Sequence, residues 1–197
     1  MEVATPHGPA RIELHDVPAP RGTLVLGHGA GGGIGAPDLT AARDAALALG
    51  VAVALVEQPY RVAGRRSPAP APQLDVAWLA VLEALDPVAP LFAGGRSSGA
   101  RVACRTAEAA GAAGVLCLAF PVHPPGRPEK TRMPELDGVQ VPVLVVQGER
   151  DPFGMPPGAP GRDVVVVPGT HSLRSTGRIA EAVTGWLEAR LAAQPSR

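Results

Sequence analysis

The sequence has no excess of either charge, only two cysteines and no long apolar run. Its 18 basic and 18 acidic residues give a formal net charge of zero, which argues against a nucleic-acid or anionic-membrane partner. Cys104 and Cys117 are too few for a disulfide framework or a metal site, so we predict buried free thiols. No apolar run approaches the roughly 20 residues of a membrane span, and Met1–Pro20 lacks a signal-peptide pattern. We therefore expect a cytoplasmic protein with no membrane association, metal or other cofactor.

The composition is that of a folded globule. Apolar residues make up 46% and charged residues 18% of the chain, which excludes a disordered protein. Glycine and proline are abundant, but they fall between apolar runs and do not form a low-complexity tract. A length of 197 residues predicts one domain, residues 1–197, whose oligomeric state stays open.

Short apolar runs alternate with helical patterns along the chain. The runs are rich in Val and Leu and are mostly apolar throughout, as in strands covered on both faces. They are Arg11–Leu14, Thr23–Leu26, Val51–Val56, Val88–Ala93, Val115–Phe120, Val141–Val146 and Val164–Val167. Helical stripes lie between them, and those that contain Trp78 and Trp186 predict core-facing aromatics. The alternation predicts a mainly parallel, doubly wound α/β sheet with helices on both faces.

Two connections break this alternation. Residues Pro121–Gln140 are too rich in proline for a long helix, and Arg150–Arg162 has four prolines and three glycines among its residues. We therefore do not expect a crossover helix in Arg150–Arg162. No insertion in the sequence is long enough to form a large lid.

Gly95–Gly99 has the G-x-S-x-G form of a nucleophile elbow. The apolar run Val88–Ala93 precedes it and the helical pattern Ala100–Ala107 follows it, as a strand–turn–helix elbow requires. Such a turn holds its central residue in a strained conformation with the side chain clear of the backbone. Ser97 is therefore a candidate nucleophile.

A serine nucleophile needs a base and an acid, and both follow later strands. His171 lies just after the Val164–Val167 run and Asp151 lies shortly after Val141–Val146. The order Ser97, Asp151, His171 is the one expected for this kind of sheet. Three alternative acids are weaker because they lie in a solvated turn, at a strand start or in a loop of uncertain position. They are Glu149, Asp163 and Asp137.

The glycine-rich segment Gly27–Gly33 follows the Thr23–Leu26 strand and predicts an oxyanion hole. Backbone N–H groups in such a loop can point at developing negative charge. We assign the donors to the amides of Ala30, with Gly31 as the alternative, and Ser98 at the helix start. His28 is expected to anchor the loop. A phosphate-binding loop is disfavoured, because no G-K-[ST] follows.

These motifs together resemble the α/β-hydrolase superfamily, and more narrowly its small, lidless, dienelactone-hydrolase-like group. That group includes testis-expressed proteins and a subunit of a chromatin acetyltransferase complex. The resemblance rests on His28–Gly32, Gly94–Gly99, Phe120–Glu129 and the Asp151/His171 pair. It implies an α/β-hydrolase fold with Ser97, Asp151 and His171 as the triad. Dienelactone hydrolases use a cysteine nucleophile, so their substrate is not carried over to this chain.

The predicted function is a serine hydrolase, a carboxylesterase or thioesterase that acts on a small acyl substrate through an acyl-enzyme. Arg96, inside the elbow, and His123 are the predicted substrate-binding residues, although loop charges are usually solvated. Two alternatives stay open. One is an interaction protein of the same fold with little or no catalysis, and the other is an acyltransferase that uses the same residues.

Overall fold

A computed structural model describes residues 1–193. The predicted domain extends to residue 197, and residues 194–197 lie outside the described part. The strands are β1 (Glu2–Thr5), β2 (Gly8–His15), β3 (Thr23–Gly27), β4 (Ala52–Glu57), β5 (Leu91–Arg96), β6 (Gly114–Leu118), β7 (Val143–Gly148) and β8 (Arg162–Val167). The helices are α1 (Pro37–Ala48), α2 (Pro59–Val62), α3 (Ala71–Leu85), α4 (Ser98–Thr106), α5 (Met133–Asp137) and α6 (Thr176–Ala192).

The strands form one sheet in the order β1-β2-β4-β3-β5-β6-β7-β8. Strands β3 to β8 pair in parallel, whereas β1 and β2 add an antiparallel edge next to β4. The prediction of a mainly parallel sheet is confirmed. The chain moves outward from β3 to β4 and then returns past β3 to β5. Since a crevice opens where the direction of winding reverses, the carboxyl ends of β3 and β5 are where a ligand is expected.

Helices cover both faces of the sheet, as predicted. One core lies beneath α3 and α4 and contains Trp78, and the other lies beneath α1 and α6 and contains Trp186. The Trp186 ring meets Phe92 of β5 edge to face, with centroids 5.6 Å apart. Gly114 makes room for this indole, because a Cβ there would lie 2.9 Å from two of its ring atoms. Both tryptophans are therefore core residues.

The strand boundaries differ from prediction where prolines precede a strand. The predicted strands Val88–Ala93 and Val141–Val146 begin instead at Leu91 and Val143, directly after Pro90 and Pro142. Proline has no N–H to donate to a neighbouring strand, so a ladder starts after it. β1 was not predicted, because it is a short edge strand in which only Val3 is buried.

The two proline-rich connections contain no long helix, as expected. Residues 119–132 lead from β6 to the single-turn helix α5, and residues 149–161 join β7 to β8 without a helix. Neither connection builds a large lid within residues 1–193. No helix in this part of the chain has both the length and the apolarity to span a bilayer.

The two cysteines are free and buried, which confirms the prediction. Cys104 lies in α4 and Cys117 in β6, with their Sγ atoms 3.5 Å apart. The neighbouring Cys104 thiol and burial raise the pKa of the Cys117 thiol well above its ordinary value. Both thiols are buried and contact each other, so they act as packing groups.

Candidate active site

Ser97 sits at a sharp turn between β5 and α4. Its backbone has φ 51° and ψ −103°, a conformation that few non-glycine residues adopt and that costs about 1–3 kcal/mol. The Ser97 N–H donates to the carbonyl oxygen of Leu118 at the end of β6, 2.8 Å away. The turn is thus held by the sheet itself.

Glycines allow this turn to pack directly against β3. A Cβ on either Gly95 or Gly99 would overlap the carbonyl oxygen of Gly27. The contact involves backbone on both sides, so no side-chain movement could relieve it. The elbow and Gly27, the last residue of β3, are consequently in van der Waals contact.

His171 lies between the other two residues of the predicted triad. Its Nε2 is 2.9 Å from Ser97 Oγ, and its Nδ1 is 2.9 Å from Asp151 Oδ2. The Asp151 side chain is fully buried, and the His171 side chain is 16% exposed. Three residues that are far apart in sequence thus form one hydrogen-bonded chain that ends at a partly exposed serine.

The surroundings of Asp151 determine the direction of these hydrogen bonds. Its Oδ1 accepts from the Phe153 N–H at 2.9 Å, and its Oδ2 accepts from Gln147 Nε2 at 2.9 Å. A carboxylate with these donors acts as an acceptor, so His171 donates through Nδ1–H. Nε2 is then free to accept the Ser97 O–H, which is the tautomer that a general base requires.

The loop after β3 is pinned by His28. Its Nε2 accepts from the Gln58 N–H at 3.1 Å, so its proton lies on Nδ1 and is donated to the Gly29 carbonyl oxygen at 2.8 Å. The Gly32 N–H donates to the same oxygen at 3.1 Å. Burial lowers the pKa of His28, which keeps the ring neutral and suited to this arrangement.

The same contacts orient the predicted oxyanion donors. A fixed Gly29 carbonyl fixes the Ala30 N–H, which points the opposite way across a trans peptide bond. Tyr60 Oη donates to the Ala30 carbonyl oxygen at 2.9 Å, and burial raises the pKa of Tyr60 to about 12. No hydrogen bond within residues 1–193 uses the amides of Ala30 or Ser98. Both amides, with Gly31 as the alternative, stay predicted donors.

The two predicted substrate-binding residues lie in different places. Arg96 donates from Nε to Asp38 and from Nη2 to the carbonyl oxygen of His171, so two of its nitrogens are engaged within the protein. His123 donates from Nδ1 to the Pro124 carbonyl oxygen at 2.8 Å, and its Nε2 faces Gly154. Among residues 1–193, none of the His123 hydrogen bonds reaches the triad.

The alternative acids lie outside the hydrogen-bonded chain. Glu149 is paired with Arg150, Asp137 is paired with Arg162, and Asp163 is exposed. Within the described residues, no cluster of three or more His, Cys, Asp or Glu side chains could hold a metal.

Sequence reasoning missed three side chains that surround the triad. Gln147 and Phe153 flank Asp151, and Asp38 pairs with Arg96 from the start of α1. Phe153 also stacks on the His171 ring, with centroids 4.0 Å apart and planes 26° apart. Gln147 carried a signal, because it is a polar residue at the end of an otherwise apolar strand.

An open cleft of about 580 Å³ lies beside the site. It is lined by Gly31 and Gly32 of the glycine-rich loop, by Arg96, and by the residues that follow His171, among them Arg174. None of Ser97, Asp151 and His171 lines this cleft, although Arg96 and Ser172 are adjacent to two of them in sequence.

Comparison with known proteins identifies the family and the fold. A family model described as an alpha/beta hydrolase domain matches residues 20–161. The structure is similar to a serine hydrolase without a lid from Xanthomonas campestris, with a TM-score of 0.76, 21% identity, and coverage of 99% of this chain and 95% of that one. No curated protein is significantly similar in sequence.

Two further solved structures are similar. Est1E from Butyrivibrio proteoclasticus, with bound ferulic acid, has a TM-score of 0.77 and 17% identity, and the match covers 98% of this chain and 99% of that one. A dienelactone hydrolase from Anabaena variabilis has a TM-score of 0.71 and 15% identity, with 96% and 95% covered. At these identities the likeness concerns the fold, and the predicted lidless fold class is confirmed. The likeness to testis-expressed proteins stays a prediction.

Proposed function

The chain belongs to the alpha/beta hydrolase domain family, and from this premise we propose that it is a serine hydrolase that cleaves esters or thioesters of small acyl groups. The observation that carries the proposal is the position of His171, with Ser97 Oγ and Asp151 Oδ2 each 2.9 Å from one of its ring nitrogens. This is the arrangement of nucleophile, base and orienting acid that acyl transfer to serine needs.

The proposed reaction begins with attack of Ser97 Oγ on the substrate carbonyl carbon. The Ser97 proton passes to Nε2 of His171, and Asp151 stabilises the imidazolium through Nδ1–H. The amides of Ala30 and Ser98 donate to the carbonyl oxygen as it becomes negative. When the bond to the leaving group breaks, the departing alkoxide or thiolate takes the proton from Nε2. Water then attacks the acyl-enzyme, with His171 again as the base, and releases the carboxylic acid and Ser97.

The relatives support ester chemistry in particular. One is a serine hydrolase, one binds ferulic acid and one is a dienelactone hydrolase. We propose further that residues 1–197 are one catalytic domain. The absence of a cofactor and of a nucleic-acid partner, and a cytoplasmic location, stay predictions from composition.

Hydrolysis of p-nitrophenyl esters of increasing chain length tests the proposal. Ser97→Ala and His171→Gln are each expected to lower kcat by about 10⁴–10⁶-fold, because the triad acts as a unit. Ser67→Ala is the matched control, since this exposed serine lies in the loop before α3 and is expected to keep full activity. Hydrolysis of the esters by folded Ser97→Ala at the wild-type rate would contradict the proposal.

Added alcohols or thiols separate hydrolysis from acyl transfer. If water is the acceptor, as proposed, p-nitrophenol release and free acid formation stay equal when an acceptor is added. Formation of a new ester or thioester in place of the acid would assign the acyl-enzyme to transferase chemistry. A folded wild-type protein that hydrolyses none of the esters would favour a protein of this fold that acts by interaction only.

A further inference from the structure

The Arg96 guanidinium joins three segments of the active site that are distant in sequence. Nε donates to Asp38 Oδ2 at 2.9 Å, and Nη2 donates to the His171 carbonyl oxygen at 3.0 Å. Nη1 lies against the glycine-rich loop, since a Cβ on Gly29 would be 2.8 Å from it. We propose that Arg96, held by Asp38, is a positioning residue that fixes the His171 backbone relative to Ser97. This inference rests on the proposed function.

Asp38 is unusually buried for a charged group. Its side chain is 1% exposed, and it lies in the first turn of α1, where its Oδ1 accepts from the Leu39 N–H at 2.9 Å. Burial raises the pKa of this carboxyl group, and the Arg96 charge opposes that shift. A buried ion pair contributes little to stability once desolvation is counted. The pair instead orients the Arg96 side chain, because Asp38 determines where the guanidinium points.

The backbone next to His171 is also held from the side of β7. It lies in the connection between β8 and α6, where Gly148 packs against the preceding Thr170, since a Cβ on Gly148 would overlap the Thr170 carbonyl oxygen. That contact limits movement toward β7. Arg96, which belongs to the elbow side of the site, donates a hydrogen bond to the next carbonyl oxygen, that of His171. The imidazole is therefore fixed at its ring by Asp151 and at its backbone by Arg96.

This role differs from the direct substrate binding that the sequence predicts for Arg96. Two of the guanidinium nitrogens are already engaged, and Asp38 compensates the positive charge. A residue that binds an anionic substrate changes KM for anionic esters only. A residue that positions the base changes kcat for every ester, whatever its charge.

The test compares a neutral p-nitrophenyl ester with one that carries a carboxylate on its acyl chain. The double variant Arg96→Met/Asp38→Asn removes both charges, so neither is left buried and uncompensated. We expect kcat to fall about 100-fold for both esters, the loss typical of a misplaced catalytic group, with KM little changed. Arg96→Lys keeps the charge but cannot reach both partners, and we expect an intermediate loss. In folded Arg96→Ala, which leaves room for the ion and keeps the Asp38 carboxylate, guanidinium at a non-denaturing concentration should partly restore kcat.

The matched control removes another arginine–carboxylate pair, one that lies outside the site. Arg101 of α4 binds both carboxylate oxygens of Glu135 in α5, at 2.7 and 2.6 Å, with both side chains about as exposed as that of Arg96. Arg101→Met/Glu135→Gln is expected to keep the wild-type kcat. A similar loss of kcat in this control would show a general effect of packing and would overturn the inference.

The other outcomes are equally decisive. If wild type hydrolyses esters and folded Arg96 variants keep its kcat, the positioning role is wrong and the proposed function stands. If the variants raise KM for the anionic ester alone, Arg96 binds substrate and the inference is overturned. If wild type hydrolyses no ester, the proposed function fails and the positioning role falls with it.

Discussion

The elbow, Gly95–Gly99, and the acid–base segment are held in place by different kinds of contact. The acid–base segment consists of the two connections that carry the predicted acid, Asp151, and the predicted base, His171. At the elbow, Gly95 and Gly99 press on the backbone of Gly27, and the Ser97 N–H binds the Leu118 carbonyl oxygen. Every one of these contacts is between backbone atoms. Around Asp151 and His171, several of the contacts are made by side chains. Gln147 donates to Asp151, Phe153 stacks on His171, and Arg96, which pairs with Asp38, donates to the His171 carbonyl oxygen.

Because the contacts differ, we expect substitutions in the two regions to affect different properties of the protein. A change at the elbow displaces backbone that belongs to the central strands, so the fold itself is affected. A change in the acid–base segment removes a side-chain contact and does not push strand backbones apart. We therefore expect elbow variants to lose stability, and acid–base variants to lose more activity than stability.

The largest effect is expected for Gly99→Ala. The new methyl group would overlap the carbonyl oxygen and carbon of Gly27, and neither can move without separating the elbow from β3. We expect a loss of more than about 4 kcal/mol in the free energy of unfolding, measured by urea denaturation.

Gly185→Ala in α6 is the control for that substitution. No atom outside the local chain lies within 4 Å of the added methyl group, so the variant should gain about 0.5–1 kcal/mol from helix propensity. Equal stabilities of the two variants would show that the elbow is not rigid. That result would contradict the proposed difference between the elbow and the acid–base segment.

Gln147→Met is expected to have the next largest effect, mainly on activity. It removes a buried amide that donates to Asp151 Oδ2 and lies 3.1 and 2.9 Å from the carbonyl oxygens of Phe120 and Gly154. Part of the loss therefore falls on stability, because buried carbonyl groups lose a donor. A hydrogen bond to a charged group contributes about 1.5–3 kcal/mol, so kcat should fall about 10- to 100-fold. Steady-state kinetics and urea denaturation of the same preparation check this. A variant that loses stability but keeps kcat would place Gln147 with the structural residues.

His28 gives a pH-dependent test of the glycine-rich loop. Because burial lowers its pKa below the ordinary value of 6.5, the unfolded chain takes up the proton first as pH falls. Stability should therefore be lost below pH 6.5, by no more than about 1.4 kcal/mol per pH unit, which is the slope for one proton. Urea denaturation at about pH 7.5 and about pH 5.5 should show a smaller difference in His28→Gln than in wild type. Equal pH dependence in the two proteins would rule out a neutral, buried His28.

The smallest effect is expected for Phe153→Leu. Its ring stacks on His171 at 4.0 Å and limits rotation of the imidazole. Loss of a stacked pair is worth about 0.5–1.5 kcal/mol, so kcat/KM should fall about two- to tenfold with little change in urea denaturation. An unchanged kcat/KM would remove Phe153 from the set of side chains that hold the base.

Much of the fold could be predicted because its signals are local. Within residues 1–193, apolar runs and helical stripes predict seven of the eight strands and the four longer helices. β1 was missed because a strand with one buried residue has almost no periodicity. The strand starts at Leu91 and Val143 were misplaced because apolar residues before a proline look like strand although the ladder begins only after it.

The elbow could be predicted from the sequence, whereas the side chains around Asp151 and His171 could not. The elbow follows from the spacing of glycines around Ser97, and the triad order from residues that directly follow strands. Gln147, Asp38 and Phe153 could not be assigned, because their contacts depend on which loops meet at the sheet edge. Arg96 was noticed, but its partners Asp38 and His171 are distant in sequence, so only the structure reveals what it touches.

Labelling with a fluorophosphonate tests the central claim most directly, because the reagent phosphonylates only an activated serine. Intact-protein mass and peptide mapping should show one adduct per chain, on Ser97. Labelling should be abolished in Ser97→Ala and strongly slowed in His171→Gln. A folded wild-type protein that takes no label, or takes it on another residue, would contradict the assignment of Ser97 as the nucleophile.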